Sequence, residues 1–357
     1  MTNPTKPPAA RSFLPAICIG GLLVLLLGLF GSWQSSLAAD QKQIVTEKPA
    51  YSSPVAQYGQ LQVAGNRIVG QDGGAASLAG PSFFWSNSDW EMARFYNREA
   101  VEYFADDWNA GIVRAAIAAQ HDGSYLDQPE QNYARAEAII DGAIANGIYV
   151  IVDWHTHQAE QNVAEAVEFF QRIARKYGHT PNLIYEIYNE PLDTTDWALT
   201  VKPYAEQLIQ AIREIDPDNL IIVGTQSWGQ DVDKAAADPI RGHRNIAYSL
   251  HFYAATHGRK YRQRAKRAIA AGLPIIVTEW GSVDHTGDGE VDWVSSEAWL
   301  DFMKEHQLIH TMWSVSDKRE GASMLVPRAA SDGGWTDRDL TTSGLYAREI
   351  IRTWDTD

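Results

Sequence analysis

The stretch LIYEIYNEPLD (residues 183–193) begins as a short apolar strand and then breaks its own pattern. Leu183, Ile184, Ile187 and Tyr188 suit a buried strand, whereas Asn189, Glu190 and Pro191 place an amide, a carboxylate and a helix-breaking ring side by side at its end. LPIIVTEWGS (residues 273–282) repeats the device: an apolar strand that finishes on a carboxylate, Glu279. Two such strands point to a pair of carboxylates at one end of a sheet.

Working outward, six more short apolar runs bounded by turn residues read as strands: 77–82 (SLAGPS), 111–117 (GIVRAAI), 147–153 (GIYVIVD), 219–224 (NLIIVG), 245–251 (NIAYSLH) and 308–314 (LIHTMWS). With 183–188 and 273–279 they make eight. Helical patterns lie between them. Residues 160–178 carry Val163, Ala166, Val167, Phe170, Ile173, Ala174 and Tyr177 on one face. Residues 200–215 repeat Tyr204, Leu208, Ile212 and Ile215 before Asp216-Pro217 ends the helix. Eight strands alternating with helices over roughly 280 residues predict an α/β chain folded as a single (β/α)8 TIM barrel. A doubly wound open sheet is the alternative, but no G-x-G-x-x-G or G-x-x-x-x-G-K-[ST] follows any strand. YGQLQVAGNRIVGQDG (residues 58–73) alternates around Gly65-Asn66 and predicts a small β-hairpin before the barrel.

The N-terminus reads as a targeting segment. Lys6 and Arg11 precede an uncharged apolar run, residues 13–33, and Ser36-Leu37-Ala38 offers small residues before a cleavage point after Ala38 or Ala39. The run is longer than a usual signal core, so two outcomes stay open: a cleaved signal peptide over 1–39, or a membrane anchor through 13–33. Either puts the rest of the chain beyond the inner membrane, secreted or periplasmic. Residues 40–55 read as a polar linker and 56–357 as the barrel. The one cysteine, Cys18, lies inside the apolar run, so the remainder has neither disulfide nor thiol chemistry.

The 357 residues carry a net charge of −15. That balance argues against a nucleic-acid partner, which needs a basic face, and suits a neutral substrate. In a (β/α)8 barrel the chemistry sits at the carboxyl ends of the strands. Those ends hold Arg114; Asp153, His155 and His157; Asn189 and Glu190; His251 and Tyr253; Glu279; and Trp313. Glu190 and Glu279 would face each other across the mouth. Two carboxylates flanking a bond are what glycoside hydrolysis requires, with roughly 5–5.5 Å between them for retention and roughly 6.5–9.5 Å for inversion.

Taken together, IYEIYNEP, VTEWGS, LHFYAATHG, VRAAI, VDWH and MWSVSDK resemble the cellulase branch of glycoside hydrolase family 5, in clan A, over about residues 56 to 354. The resemblance implies a retaining endo-β-1,4-glucanase without a cofactor, acting as a monomer on a β-1,4-glucan. It implies Glu190 as acid/base and Glu279 as nucleophile, with Asn189 on the sugar 2-hydroxyl and Arg114 and Tyr253 beside Glu279. His155 and His251 would orient the sugar, Trp313 would form its floor, and Lys318 and Glu320 would bond the next sugar. Mannan, xyloglucan and mixed-linkage glucan are alternative substrates for the same machinery, and a non-catalytic glycan-binding barrel is the alternative to an enzyme. Many relatives carry a His-Gly pair after the first strand. Here the segment reads GPSFFWSN (residues 80–87), so Phe84 and Trp85 wall the cleft without that hydrogen-bonding group.

The acid role predicts that burial and a nearby charged Glu279 raise the pKa of Glu190. Of the 13 tryptophans, Trp85, Trp90, Trp228, Trp280, Trp313 and Trp335 fall at predicted loop ends near the mouth, while Trp108 and Trp154 read as core. His155-x-His157 lacks the spacing of a helical metal motif, and DHTGDGEVDWVS (residues 284–295) lacks two calcium-loop ligands, at Thr286 and Ser295, so no metal is expected. No G-x-S-x-G follows a strand, which removes a serine hydrolase.

Overall fold

The structure, a computed structural model, describes residues 53–354. The signal or anchor reading of 1–39, and nearly all of the proposed linker, lie outside these residues. Ser53, Pro54 and Val55 do not continue a linker: the Ser53 hydroxyl accepts from the Ala56 amide and caps a short helix, Pro54–Tyr58. Among the described residues no helix is long and apolar enough to cross a membrane.

Among the described residues there are ten strands: β1 Gln62–Ala64, β2 Arg67–Val69, β3 Ala79–Phe83, β4 Ile112–Ala118, β5 Tyr149–His155, β6 Leu183–Glu186, β7 Ile221–Val223, β8 Ile246–Tyr253, β9 Ile275–Gly281 and β10 His310–Val315. β3 to β10 close into a parallel barrel in sequence order, β10 pairing with β3. β1 and β2 form the expected antiparallel hairpin. It covers the lower end of the barrel, where Leu61 and Ile68 join Leu78, Ile112, Ile151, Ile184, Ile222 and Ile276 in one buried cluster. The helices form the outer layer. Val163–Tyr177 buries Ala166, Phe169, Phe170, Ile173, Ala174 and Tyr177, and Lys202–Arg213 buries Tyr204, Ala205, Leu208, Ile209 and Ile212.

The period of two along each strand sets the layers of the barrel interior. Two residues above Ile112, Ile151 and Ile184 come Arg114, Asp153 and Glu186, all fully buried. A polar layer thus rests on the apolar one. β9 departs from the period. Ser249 pairs with Ile276 but His251 with Glu279, and His310 pairs with Val277 but Met312 with Trp280, so β9 gains one residue against both neighbours. This bulge lets the consecutive residues Thr278 and Glu279 both bond groups inside the barrel.

Candidate active site

β6 ends at Glu186, earlier than the apolar run suggests, yet its backbone stays pinned. The Ile187 amide donates to the Ile222 carbonyl (3.0 Å), and those of Asn189 and Glu190 donate to Trp154 and Thr156 (3.3 Å each). Glu190 is therefore held by main chain on the neighbouring strand as well as by its own side chain.

Arg114 organises the floor. Its Nε donates to Glu186 Oε2 (2.7 Å), Nη1 to Glu279 Oε2 (3.0 Å) and Nη2 to Asn189 Oδ1 (2.7 Å), with Asp153 Oδ2 at 3.0 Å. Burial opposes its charge, but Asp153, Glu186 and Glu279 outweigh that and hold it protonated. Tyr253 donates its hydroxyl to Glu279 Oε1 at 2.9 Å. Both oxygens of Glu279 are thereby fixed. Burial and Glu190 push the Glu279 carboxyl up, against the pull of His251, Arg114 and Tyr253.

Glu190 has different partners. Its Oε1 meets His251 Nδ1 at 2.9 Å and its Oε2 meets His157 Nε2 at 3.1 Å. The expectation of a raised pKa is corrected here. Burial does push Glu190 up, but the hydrogen bonds and charge of the two imidazoles outweigh it and hold the carboxyl below the usual range. The proton resides on the partner instead. Burial would lower His251, yet Glu186 and Glu190 raise it to about 10. The Glu190–His251 pair therefore holds a proton at neutral pH, across one 2.9 Å contact.

His251 was assigned to the sugar by resemblance, but both its ring nitrogens are engaged within the protein. Nε2 bonds Thr278 Oγ1 at 2.7 Å, and Thr278 donates to Glu186 Oε1 at 2.5 Å. A buried carboxylate thus fixes the Nε2–H form of His251 and leaves Nδ1 to share its proton with Glu190. Thr278 and Glu186 belong to this network and were missed by the strand-end reading, which names His157 but gives it no role. Glu186 could have been found from its place two residues after inward-facing Ile184. Removing this relay by Thr278→Val should lower the His251 pKa. The alkaline limb of the kcat/KM profile should then move to lower pH, with kcat falling about tenfold, and Thr278→Ser should restore both.

The cleft has two halves. One cavity of about 480 Å³ is lined by Trp85, Trp90, His155, Trp313, Lys318 and Glu320, among others. The other, about 470 Å³, is lined by Trp228, Gln230, His251, His257 and neighbours. They meet at Glu190, Tyr253, Glu279 and His285. Trp313 lies parallel to His155 (5.3 Å, 8°), and Trp85 stands edge-on to the same imidazole (4.2 Å). Burial and Arg114 keep His155 neutral, and its Nδ1 is 2.6 Å from Asp153 Oδ2. Lys318 pairs with Glu320 at 2.5 Å.

Two of the six tryptophans placed near the mouth belong elsewhere. Trp280 is buried, stacked on Phe252 and donating to His310, and Trp335 packs against Phe104 and Tyr103. Trp108 and Trp154 are core, as read. In the acidic loop the Asp284 carboxylate accepts from the Thr286 amide (2.8 Å) and hydroxyl (2.5 Å), so the loop folds on its own groups.

Glu190, His251 and Glu279 bring one side-chain atom each within 4.8 Å of one another. The nearest oxygens of the two carboxylates are thus no more than 4.8 Å apart. The description "Cellulase (glycosyl hydrolase family 5)" matches residues 69–319. The chain belongs to glycoside hydrolase family 5. Within this family it is 48% identical over 294 residues to Endoglucanase Z of Dickeya dadantii, covering 82% of this chain and 66% of that protein. It is 40% identical over 296 residues to an endoglucanase of Clostridium saccharobutylicum, covering 82% and 65%. The chain thus spans just under two thirds of the length of these family 5 relatives. The catalytic domain of Thermobifida fusca endoglucanase Cel5A superposes with a TM-score of 0.79 at 34% identity, covering 84% of this chain and 99% of that one.

Proposed function

We propose that this family 5 protein is a retaining endo-β-1,4-glucanase with Glu279 as nucleophile and Glu190 as acid/base. The observation that carries the assignment is the contrast between the two carboxylates' partners. Glu279 is held by a guanidinium and a phenol, which keep their protons at neutral pH. Glu190 is held by two imidazoles, and with one of them, His251, it holds a proton across a 2.9 Å contact that the pair can hand on. A carboxylate that must attack is fixed by the first kind of partner, and one that must pass a proton by the second.

The chemistry follows. Glu279 attacks the anomeric carbon as the glycosidic C–O bond breaks, and the proton held by the Glu190–His251 pair passes to the leaving oxygen. Esterified Glu279 carries no charge. Glu190 then takes a proton from water, whose oxygen displaces Glu279. Asn189 Oδ1 accepts from Arg114 Nη2, while its buried Nδ2 has no partner within the protein. That donor suits the sugar 2-hydroxyl, a bond that strengthens in the transition state. Trp313 offers an apolar floor, and Lys318 with Glu320 offers polar groups to the next sugar. The cleft continues on both sides of the pair, which supports attack on internal bonds. The relatives' names favour glucan, and the N-terminal pattern favours action beyond the inner membrane.

Reducing-end release from carboxymethyl-cellulose, mannan, xyloglucan and mixed-linkage glucan tests the reading. The fastest turnover is expected on a β-1,4-linked glucan. Fastest turnover on mannan would overturn the substrate, and binding without turnover on all four would overturn the enzyme.

A further inference from the structure

We infer that the glucan cleft continues over the rim of the barrel to Trp293, which forms a remote binding site for a neutral β-glucan chain; this rests on the glucanase reading and extends it. Among the described residues three tryptophans are more than a third exposed: Trp90 (41%), Trp228 (39%) and Trp293 (51%). The first two line the two halves of the cleft. Trp293 opens the helix Trp293–His306, directly after the loop that follows β9, so it stands at the same end of the barrel as the carboxylates. It lines a separate cavity of about 400 Å³ with Gly289, Glu290, Glu320, Thr342 and Ser343.

Glu320 joins this cavity to the cleft, since it lines both. Its side chain is only 7% exposed and its Oε2 is taken by Lys318, but its buried Oε1 has no partner within the protein. A buried carboxylate oxygen calls for a donor, and a sugar hydroxyl at the junction would supply one. Between the two cavities the loops meet backbone to backbone. The Ala322 amide donates to the Gly287 carbonyl at 2.8 Å, and a Cβ on Gly321 would stand 2.1 Å from the Gly289 carbonyl oxygen. Gly287 lines the cleft, Gly289 and Gly321 line the Trp293 cavity, and none of the three carries a side chain that could stand between the two.

The chemistry selects the ligand. Tyr346 packs edge-on against the Trp293 indole at 4.7 Å and 69°, which steadies the ring while half of the residue stays open. Glu290 and Glu320 line the cavity and no lysine or arginine does, so an anionic ligand is disfavoured. A flat apolar ring beside hydrogen-bond acceptors and the exposed Thr342 fits an uncharged polyol with apolar ring faces.

Trp293→Ala tests this by chain length. KM on soluble hydroxyethylcellulose should rise roughly 2–10-fold, with kcat and the hydrolysis of cellotetraose unchanged and Trp293→Phe close to wild type. Equal losses on polymer and cellotetraose, or no change on either, would overturn the site. Affinity electrophoresis through hydroxyethylcellulose gives a readout that needs no turnover. Glu279→Ala/Trp293→Ala should be retarded less than Glu279→Ala alone, and equal retardation would overturn the site. Wild-type protein that turns over no β-glucan, while this difference in retardation persists, would sink the glucanase reading and support the Trp293 site.

Discussion

Glu279→Ala is expected to lower kcat on an aryl cellobioside by a factor on the order of 10⁴–10⁶, with the fold intact. The side chain removed is the one whose two oxygens are fixed by Arg114 and Tyr253, so no other carboxylate stands in its place. Glu190 is held away by His157 and His251. Azide separates the two roles by product. In Glu279→Ala the anion can enter the vacated space and attack the anomeric carbon once, giving the α-glycosyl azide. In Glu190→Ala the glycosyl-enzyme still forms on Glu279 from an activated leaving group, and azide then displaces it with a second inversion, giving the β-azide. Exchange of these two products between the variants would reverse the roles assigned to Glu190 and Glu279.

Arg114→Met is expected to cost about 3–5 kcal/mol of stability as well as most of the activity. The guanidinium touches Asp153, Glu186 and Glu279 inside the barrel, and a methionine of similar bulk leaves those charges uncompensated. The pH dependence has a definite sign. Without Arg114 the buried carboxyls have folded pKa values above their unfolded ones. The variant is then least impaired below about pH 4, where both states are protonated, and its deficit grows as pH rises. Urea unfolding of variant and wild type at acid and neutral pH gives the difference directly. A deficit that shrinks as pH rises would contradict the charge account. His251 has the opposite kind of dependence in the wild type. Its raised pKa contributes stability in full below its ordinary 6.5, and that contribution is lost as pH rises through about 10.

Most of the barrel was legible because each strand is a short apolar run with turn residues at its ends, and the eight predicted runs overlap the eight barrel strands. Glu190 and Glu279 were legible because charge at the end of such a run is costly to bury without purpose. Thr278 was not. Strict alternation with Glu279 facing inward turns Thr278 outward, and only the extra residue in β9 brings both to the interior. Nothing in IIVTEWG marks that bulge. The lowered Glu190 pKa escaped for a related reason. Burial and a like charge could be foreseen, but the closeness of His157 and His251 depends on how a loop and a strand from different parts of the chain meet. Trp280 follows Glu279 and turns to the helical layer, where it stacks on Phe252.

The most direct test of the Glu190–Glu279 pair is the configuration of the first product, read by proton NMR within the first minutes of cello-oligosaccharide hydrolysis. The roles proposed for Glu279 as nucleophile and Glu190 as acid/base predict double displacement, so the new reducing end should appear as the β anomer and only later mutarotate. A new reducing end that appears first as the α anomer would contradict the account.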